Sequence, residues 1–271
     1  MKCKISSTLA LLIAVSLFYS CEKNVLRSTE TFLPEDKAFV KFNLLSPSNP
    51  NIGIMIKVNE EKINASTAIF LGIFPLTINN QDYVAVPTTS SIKISQPNTG
   101  TRNDSLVILT APFKFEAKKF YSLTLADTGI DRTLFSVLDE DNIPLPADSF
   151  YNLRFINAMA KSPNLSLIRV DSTTSTSFIR DTIANNIAFK NASSLVTLPV
   201  YPKRIGTSNS FHTFLRYRMI VTATGVSIGN LITPPQNTVI TRRNTSIYAY
   251  GFANGIGVFA PTLSGTILFN K

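Results

Sequence analysis

An all-β fold is the prediction for this chain of 271 residues, arranged as two antiparallel β-sandwiches in tandem. Short runs rich in Val, Ile, Thr, Phe and Tyr alternate apolar with polar residues, which is typical of strands with one buried face. Clusters of Asn, Ser, Pro and Gly separate these runs at short intervals. Beyond residue 20 no stretch keeps a helical apolar period, so we expect sandwiches of about seven strands each.

Internal repetition predicts that the two sandwiches are copies of one module. Val40-Lys41-Phe42 recurs as Leu153-Arg154-Phe155, in which the apolar residues should face the core and the basic residue should face outward. Three further pairs of segments recur in the same order, namely Ile52–Asn59 with Leu165–Asp171, Val84–Pro87 with Val196–Pro199, and Lys118–Leu123 with Arg242–Ile247. Four matches in one order favour a duplication over chance.

The spacing between the copies places an insertion in the second one. Lys41 and Arg154 lie 113 positions apart, whereas Lys118 and Arg242 lie 124 positions apart. The additional residues are expected near 200–213, and their distinctive side chains are Lys203, Arg204 and the single histidine, His212. Loops added to a rigid scaffold often carry function. A solvated loop without a partner is the alternative.

The N-terminal segment predicts export and a lipid anchor. Lys2 and Lys4 precede the apolar run Leu9–Phe18, which is too short to span a bilayer and is typical of a signal peptide over residues 1–20. The following Ser20-Cys21 resembles a bacterial lipobox, which implies lipidation of Cys21 and a position in the cell envelope, at the outer membrane. Acyl chains on Cys21 would hold the protein to the membrane. A soluble secreted protein is the alternative.

Four segments follow from these observations. After the signal peptide, residues 21–37 are polar and are interpreted as a tether, residues 38–146 as the first β-sandwich and residues 147–271 as the second. The acidic, proline-containing run Asp139–Pro146 is interpreted as a short linker between them. Cys3 lies in the removed segment and Cys21 is the lipidation site, so we expect both sandwiches to be stable without a disulfide.

Several strands resemble a known family. Leu153–Ala158 with Lys161-Ser162-Pro163, and Val40–Pro47 in the first copy, are similar to the opening strand of the tandem Ig-like modules called domain of unknown function 4397. Asparagine of that pattern is replaced by Leu44 in the first copy. The resemblance covers most of residues 38–271 and implies two Ig-like sandwiches in a bacterial envelope. It implies no catalytic residues.

Basic residues are concentrated toward the C-terminus. Between Cys21 and Asp181 there are 16 Lys and Arg and 17 Asp and Glu, whereas residues 182–271 hold 8 basic and no acidic residues. Clustered bases attract anions over long range, which predicts an anionic glycan, an envelope protein or the membrane surface as partner, and not nucleic acid. Scattered, solvated charge is the alternative. The candidate binding residues, expected on one face, are Lys203, Arg204, Arg216, Arg218, Arg242 and Arg243.

No set of residues indicates catalysis, so we expect that the protein is not an enzyme. Gly225–Gly229 matches the nucleophile-elbow pattern, but no Asp, Glu or His follows Ser227 to complete a triad, which favours a turn at Gly225. One histidine and no remaining thiol exclude the usual zinc ligand sets. The acidic run Asp139–Asn142 lacks the ligand spacing of a calcium loop. We therefore expect no metal and no cofactor.

A non-enzymatic adhesion, scaffold or binding module is the functional prediction, and a glycan-capture component of a nutrient-uptake system is the alternative. Glycan platforms usually present exposed aromatic rings, and the chain has no Trp. The tyrosines that could replace it, with core packing as the favoured role of Tyr248 and Tyr250, are Tyr201, Tyr217, Tyr248 and Tyr250. The triplets at Ser105, Ser172 and Thr182 resemble O-glycosylation acceptors of Bacteroidetes envelope proteins.

Overall fold

The computed structural model describes residues 34–45, 53–64, 68–69, 72–75, 83–97, 104–127, 132–139, 146–172, 178–199, 203–204, 211–212, 216–232, 244–251 and 264–270. Every regular element in these ranges is a β-strand, which confirms the all-β fold class. Cys21 and the tether, apart from its last four residues, lie outside these ranges.

Ten of the described strands form what we call the first half of the molecule. They are β1 (Lys37–Leu44), β2 (Gly53–Val58), β3 (Glu61–Lys62), β4 (Ala68–Ile69), β5 (Ile73–Phe74), β6 (Val84–Pro87), β7 (Thr89–Pro97), β8 (Asp104–Lys114), β9 (Phe120–Asp127) and β10 (Arg132–Asp139). Seven were expected, and the excess comes from the two-residue strands β3, β4 and β5.

The other ten strands among the described residues form the second half. They are β11 (Phe150–Asn157), β12 (Leu165–Ser172), β13 (Phe178–Ile187), β14 (Val196–Pro199), β15 (Lys203–Arg204), β16 (Phe211–His212), β17 (Tyr217–Val221), β18 (Ser227–Ile232), β19 (Asn244–Tyr250) and β20 (Ser264–Asn270). Only Thr88 separates β6 from β7, whereas residues 200–216 separate β14 from β17. The longer connection contains the region of the expected insertion.

Each half is built from two large sheets, which we call inner and outer. The inner sheet of the first half has the order β10-β9-β1-β5 with β6 also on β1, and that of the second half has the order β14-β11-β19-β20. The outer sheets have the orders β3-β2-β7-β8, with β4 on β2, and β13-β12-β17-β18. Strands β15 and β16 form a separate two-stranded sheet.

Strand registers repeat between the halves. In β1 and β6, Lys37 pairs with Pro87, and in β11 and β14, Phe150 pairs with Pro199. The two pairs are offset by the same 113 and 112 positions that separate the repeated segments, as the residue numbers show. The repeat found in the sequence is therefore also a repeat of backbone pairing.

One pairing in each half departs from the expected antiparallel pattern. Strands β1 and β9 are parallel with Phe39 opposite Phe120, and β11 and β19 are parallel with Asn152 opposite Asn244. These partners are the first and the penultimate strands of their halves. Parallel neighbours need a long crossover, and the outer sheet supplies it because its strands lie between them in the chain.

A separate apolar core lies between the two sheets of each half. In the first half, Val40 and Phe42 of β1 pack with Ile54 and Ile56 of β2, and all four side chains are fully buried. The second half packs equivalent strands in the same way, with Leu153, Phe155, Leu165 and Leu167 among its buried residues. Inward positions predicted from residue alternation are confirmed in both copies of the opening strand.

The basic residues of these strands face away from the cores as expected, but they are buried and not exposed to solvent. Lys41 is 1% exposed, with its Nζ 4.8 Å from the centre of the Tyr83 ring. Arg154 is 4% exposed, and its Nε donates to Ser246 Oγ at 2.9 Å. Both residues do point away from the cores, but β1 and β11 are buried on both faces.

A third apolar cluster joins the two halves and explains this burial. It combines Leu45, Ala126, Phe135 and Val137 of the first half with Ile156, Ala158 and Tyr248 of the second. The phenolic OH of Tyr248 accepts a hydrogen bond from Asn43 Nδ2 at 3.0 Å, and the ring of Phe135 lies 6.3 Å from that of Phe189. The inner sheets therefore pack on each other. The four sheets are therefore stacked in the order first outer sheet, first inner sheet, second inner sheet, second outer sheet.

Residues Glu35–Lys271 form one compact unit that includes both cores and the junction between them. The proposed division near residue 147 stays a prediction.

Candidate functional site: a basic face on the second half

Two of the candidate basic residues lie on the outer sheet of the second half. Arg216 immediately precedes β17, and Arg218 is its second residue. Because side chains alternate along a strand, these two share a face while Tyr217 and Met219 point into the core, where both are buried. Arg218 is exposed and Arg216 is half-buried. The sandwich core thus fixes the face of the sheet from which both arginine side chains project.

A third arginine joins them through strand register. Val170 of β12 lies opposite Arg180 of β13 on one side, and on the other its N–H donates to the carbonyl oxygen of Arg216 at 2.8 Å. Arg180 and Arg216 therefore flank Val170 on the same face, about 10 Å apart at two strand spacings. We call Arg180, Arg216 and Arg218 the second-half basic face.

Side-chain alternation in β13 separates this face from the neighbouring acidic residue of the chain. Asp181 follows Arg180 in β13, lies opposite the buried Arg169 and so takes the other face of the strand. Thr182, which is exposed and lies opposite Ile168, returns to the basic face and adds a hydroxyl group. Three cations on β13 and at the start of β17, the two strands that flank β12, produce a positive potential suited to an anionic ligand.

The remaining candidates are only partly described. Lys203 and Arg204 form β15, where they pair with His212 and Phe211 of β16, and nothing is described of their side chains. Arg242 and Arg243 lie outside the described residues. Convergence of all six basic residues on one face stays a prediction, whereas Arg216 and Arg218 do share a face.

Sequence reasoning missed Arg180, because the acid-free segment begins after Asp181 and counting charge cannot show which residues are neighbours across strands. In β13 the alternation of Arg180, Asp181 and Thr182 separates the acid from the two other side chains. That alternation could have identified Arg180 as a basic-face residue from the sequence.

A buried polar cluster lies behind this face, inside the second core. The hydroxyl groups of Tyr151 and Tyr217 hydrogen-bond to each other, and the guanidinium carbon of Arg169 lies 6.0 Å from the centre of the Tyr151 ring. All three residues are 1% exposed. Tyr151 pairs with Leu198 near the end of β14, and Tyr217 begins β17, so the cluster lies at the end of the sandwich where segment 200–216 is connected.

Tyrosines offer little exposed aromatic surface in the described part of the second half. Tyr217 and Tyr248 are 1% and 0% exposed, and Tyr250 is half-buried against the junction cluster. Core packing of Tyr248 is thereby confirmed, and Tyr201 lies outside the described residues. Among the candidate glycosylation residues, Thr182 is exposed, whereas Ser105 and Ser172 lie in β8 and β12 without described side chains. Their modification stays a prediction.

The interpretation of Gly225 as a turn residue is confirmed. Gly225 has φ +67° and its N–H donates to the carbonyl oxygen of Val221 at 2.8 Å, within the turn between β17 and β18. Ser227 begins β18 and is exposed. It therefore lies in a β-hairpin, whereas a nucleophile elbow joins a strand to a helix.

Across the described ranges, no group of three His, Cys, Asp or Glu side chains is placed to hold a metal ion. No helix among these residues is long and apolar enough to cross a membrane. The chain matches no protein-family model, and no curated protein matches it.

Proposed function

We propose that this protein is a non-enzymatic binding module of the bacterial cell envelope, which holds an anionic partner on the second-half basic face. The observation that supports it most directly is the placement of Arg180, Arg216 and Arg218 on one face of one sheet, with Asp181 directed to the other. A rigid sheet holds the backbone of these three arginines at fixed spacing, so no backbone entropy is lost in bringing them together on binding.

Two further properties belong to the proposal. The first is the tandem Ig-like character of the halves, supported by the repeated registers of β1 with β6 and of β11 with β14. The second is the anchor: acylation of Cys21 would hold the protein to the membrane. The outer membrane is the expected location.

Binding to a carboxylate polymer tests the functional proposal. The probe is polygalacturonate, and the variant is Arg180→Gln/Arg216→Gln/Arg218→Gln in the mature chain. Each exposed ion pair contributes about 0.2–1 kcal/mol, so the loss of three should weaken binding roughly 10-fold. The dependence of affinity on salt should also become less steep in the variant.

A charge-matched control separates the face from net charge. Lys118→Gln/Lys161→Gln/Lys190→Gln removes three exposed cations that lie in turns away from the face. Its affinity should remain close to that of the unchanged protein. Equal weakening in both triple variants would mean that only net charge matters, and the proposal would be wrong.

The anchor has its own test in cells of the native host. Labelled palmitate should be incorporated into the protein and should leave the Cys21→Ala variant unlabelled. Membrane association should be lost with it, because one acylated residue is the only anchor proposed. Labelling that persists in Cys21→Ala would contradict this assignment.

A further inference from the structure

The outer sheet of the first half carries a row of lysines that charge counting did not reveal. Lys57 of β2 lies directly opposite Lys62 of β3 on one side and Lys93 of β7 on the other. Strands lie about 4.8 Å apart, so three ammonium-bearing side chains start from adjacent strands within about 10 Å. We call Lys57, Lys62 and Lys93 the first-half basic face.

A two-residue turn sets this arrangement. Val58 pairs with Glu61, so the hairpin from β2 to β3 turns at Asn59 and Glu60, which have φ +50° and +68°. Positive φ at both positions is the type I′ geometry of tight hairpins. The side chain of Asn59 also accepts a hydrogen bond from the Ser91 N–H at 2.8 Å, which ties the turn to β7. The register of the lysines is therefore firmly specified.

Like charges directly opposite in a sheet are destabilising. Glu60 relieves part of the repulsion, because its carboxylate lies 2.6 Å from Lys93 Nζ and is largely exposed. Lys57 and Lys62 are half-buried, and Thr110, opposite Lys93, is exposed on the same face. Three lysines that start from adjacent strands on one face have the chemistry of an anion-binding surface.

The same place in the second half is also basic. Aligning the halves by strand register makes Lys57 correspond to Val170. The residues across the strands from Lys57 then correspond to those across from Val170: Lys93 corresponds to Arg216, and Lys62 to Arg180. Two of three positions therefore keep a cation in both halves. The repeat has preserved a basic outer face although the residue types differ.

The stacking of the halves directs these two faces away from each other. The inner sheets meet through the cluster that contains Val137 and Tyr248, and each outer sheet lies beyond its own core. The surfaces of the outer sheets opposite their cores therefore point to opposite sides of the molecule. A single flat membrane could contact one face and not the other.

We propose that the first-half basic face is a second anion-binding site and that the protein cross-links linear acidic polysaccharides, one chain on each side. This rests on the proposed function for the second face. The cross-strand spacing of the lysines, about 4.8 Å, is close to the length of one sugar residue in an extended chain. A linear polymer with a carboxylate on each sugar thus matches the row of lysines. Bridging two chains through two sites also converts weak contacts into avid binding.

Light scattering during titration with long polygalacturonate tests the proposal. For the unchanged mature chain, scattering should rise to a maximum at an intermediate polymer ratio and fall in excess polymer, because excess occupies each face with a separate chain. Lys57→Gln/Lys62→Gln/Lys93→Gln should still bind the polymer, through the second face, and should lose most of the scattering maximum. These half-buried side chains lie on the face of the sheet opposite the core, and circular dichroism checks that the fold is kept.

Controls make each outcome decisive. Lys118→Gln/Lys161→Gln/Lys190→Gln should retain the maximum, and a short oligogalacturonide should abolish it by competition. A maximum that persists in the first-face variant would overturn the cross-linking proposal while leaving the second-face proposal intact. Absence of polymer binding by the unchanged protein, with binding to phosphatidylglycerol vesicles instead, would overturn both in favour of a membrane partner.

Discussion

The two halves share a backbone and differ in what they bury. At three core positions that correspond by strand register, the first half is apolar and the second half is polar. The corresponding pairs are Ala38 with Tyr151, Ile56 with Arg169, and Ile94 with Tyr217. Each of the six residues is at most 1% exposed. The same strand registers are therefore compatible with an apolar core and with a core that buries Arg169 beside the hydroxyl groups of Tyr151 and Tyr217.

The inner sheets differ in the same way, with apolar residues in the first half and polar residues in the second. The stacked rings of Phe39 and Phe120, 4.8 Å apart, occupy a row of the first inner sheet. In the second inner sheet the same row holds Asn152 and Asn244, joined by a hydrogen bond of 2.8 Å. Because both rows are buried, the difference is one of chemistry and not of exposure. The second half therefore has polar groups in both of its sheets where the first half has apolar ones, and it also has the longer connection.

The largest effect is expected when an arginine, as found in the second core, is introduced at the corresponding position of the first core. Ile56→Arg would bury a guanidinium among Ile54, Ile94 and other apolar side chains. An unpaired buried charge costs about 3–5 kcal/mol, so the free energy of unfolding should fall by that amount. Chemical denaturation measures it. Lys57→Arg, one position along on the outer face, should be close to neutral, and comparable loss in both variants would contradict the core assignment.

A single hydroxyl group at the junction between the halves should contribute measurably to stability. Tyr248→Phe removes the acceptor of the hydrogen bond from Asn43 and leaves that amide buried without it. Unfolding free energy should fall by about 1–2 kcal/mol, as measured by urea denaturation. Tyr250→Phe, at the half-buried edge of the same cluster, should change it by less than about 0.5 kcal/mol. Equal stability of Tyr248→Phe and the unchanged protein would argue against packing of the halves.

The hairpin between β17 and β18 should be sensitive to backbone conformation alone. No atom lies within 4 Å of a Cβ built on Gly225, so Gly225→Ala meets no steric barrier. Its φ of +67° still disfavours an L-residue by about 1 kcal/mol, which should appear as a lower midpoint in thermal denaturation. Asn tolerates this region better, so Gly225→Asn should lose less. A larger loss in Gly225→Asn would contradict the turn geometry.

The smallest expected effect is a gain. Lys62→Gln removes one of two lysines that lie directly opposite each other, Lys57 and Lys62, so the free energy of unfolding should rise by about 0.2–1 kcal/mol at low salt. Lys114→Gln is the matched control, because Lys114 lies opposite Thr89 and has no like charge across the strand. Stabilisation of the control to the same extent would show that net charge, and not register, is responsible.

Much of the fold was predictable because repetition survives in apolar and turn residues. The offset of 113 between Lys41 and Arg154 also relates Lys37 to Phe150 in the structure, and the offset of 124 relates Phe120 to Asn244. Alternation within β1 and β11 correctly assigned their core-facing residues. Both predictions depend on local order in the chain, which the sequence displays directly.

The basic faces were harder to predict because they depend on pairing between strands. The hairpin that sets Lys57 opposite Lys62 turns on Asn-Glu, without the glycine that usually marks such a turn. Burial of Lys41 and Arg154 was missed for a related reason, since alternation within a strand does not reveal that one sandwich packs on another. Only the three-dimensional stacking shows that the two basic faces point apart.

Isothermal titration calorimetry with a short oligogalacturonide at low salt tests the central claim most directly. A ligand too short to bridge molecules should bind at two sites per chain, one on each outer sheet. Changing Lys57, Lys62 and Lys93 to Gln should leave one site, and so should changing Arg180, Arg216 and Arg218. A single site in the unchanged protein, unaffected by the lysine substitutions, would contradict the account of two equivalent faces.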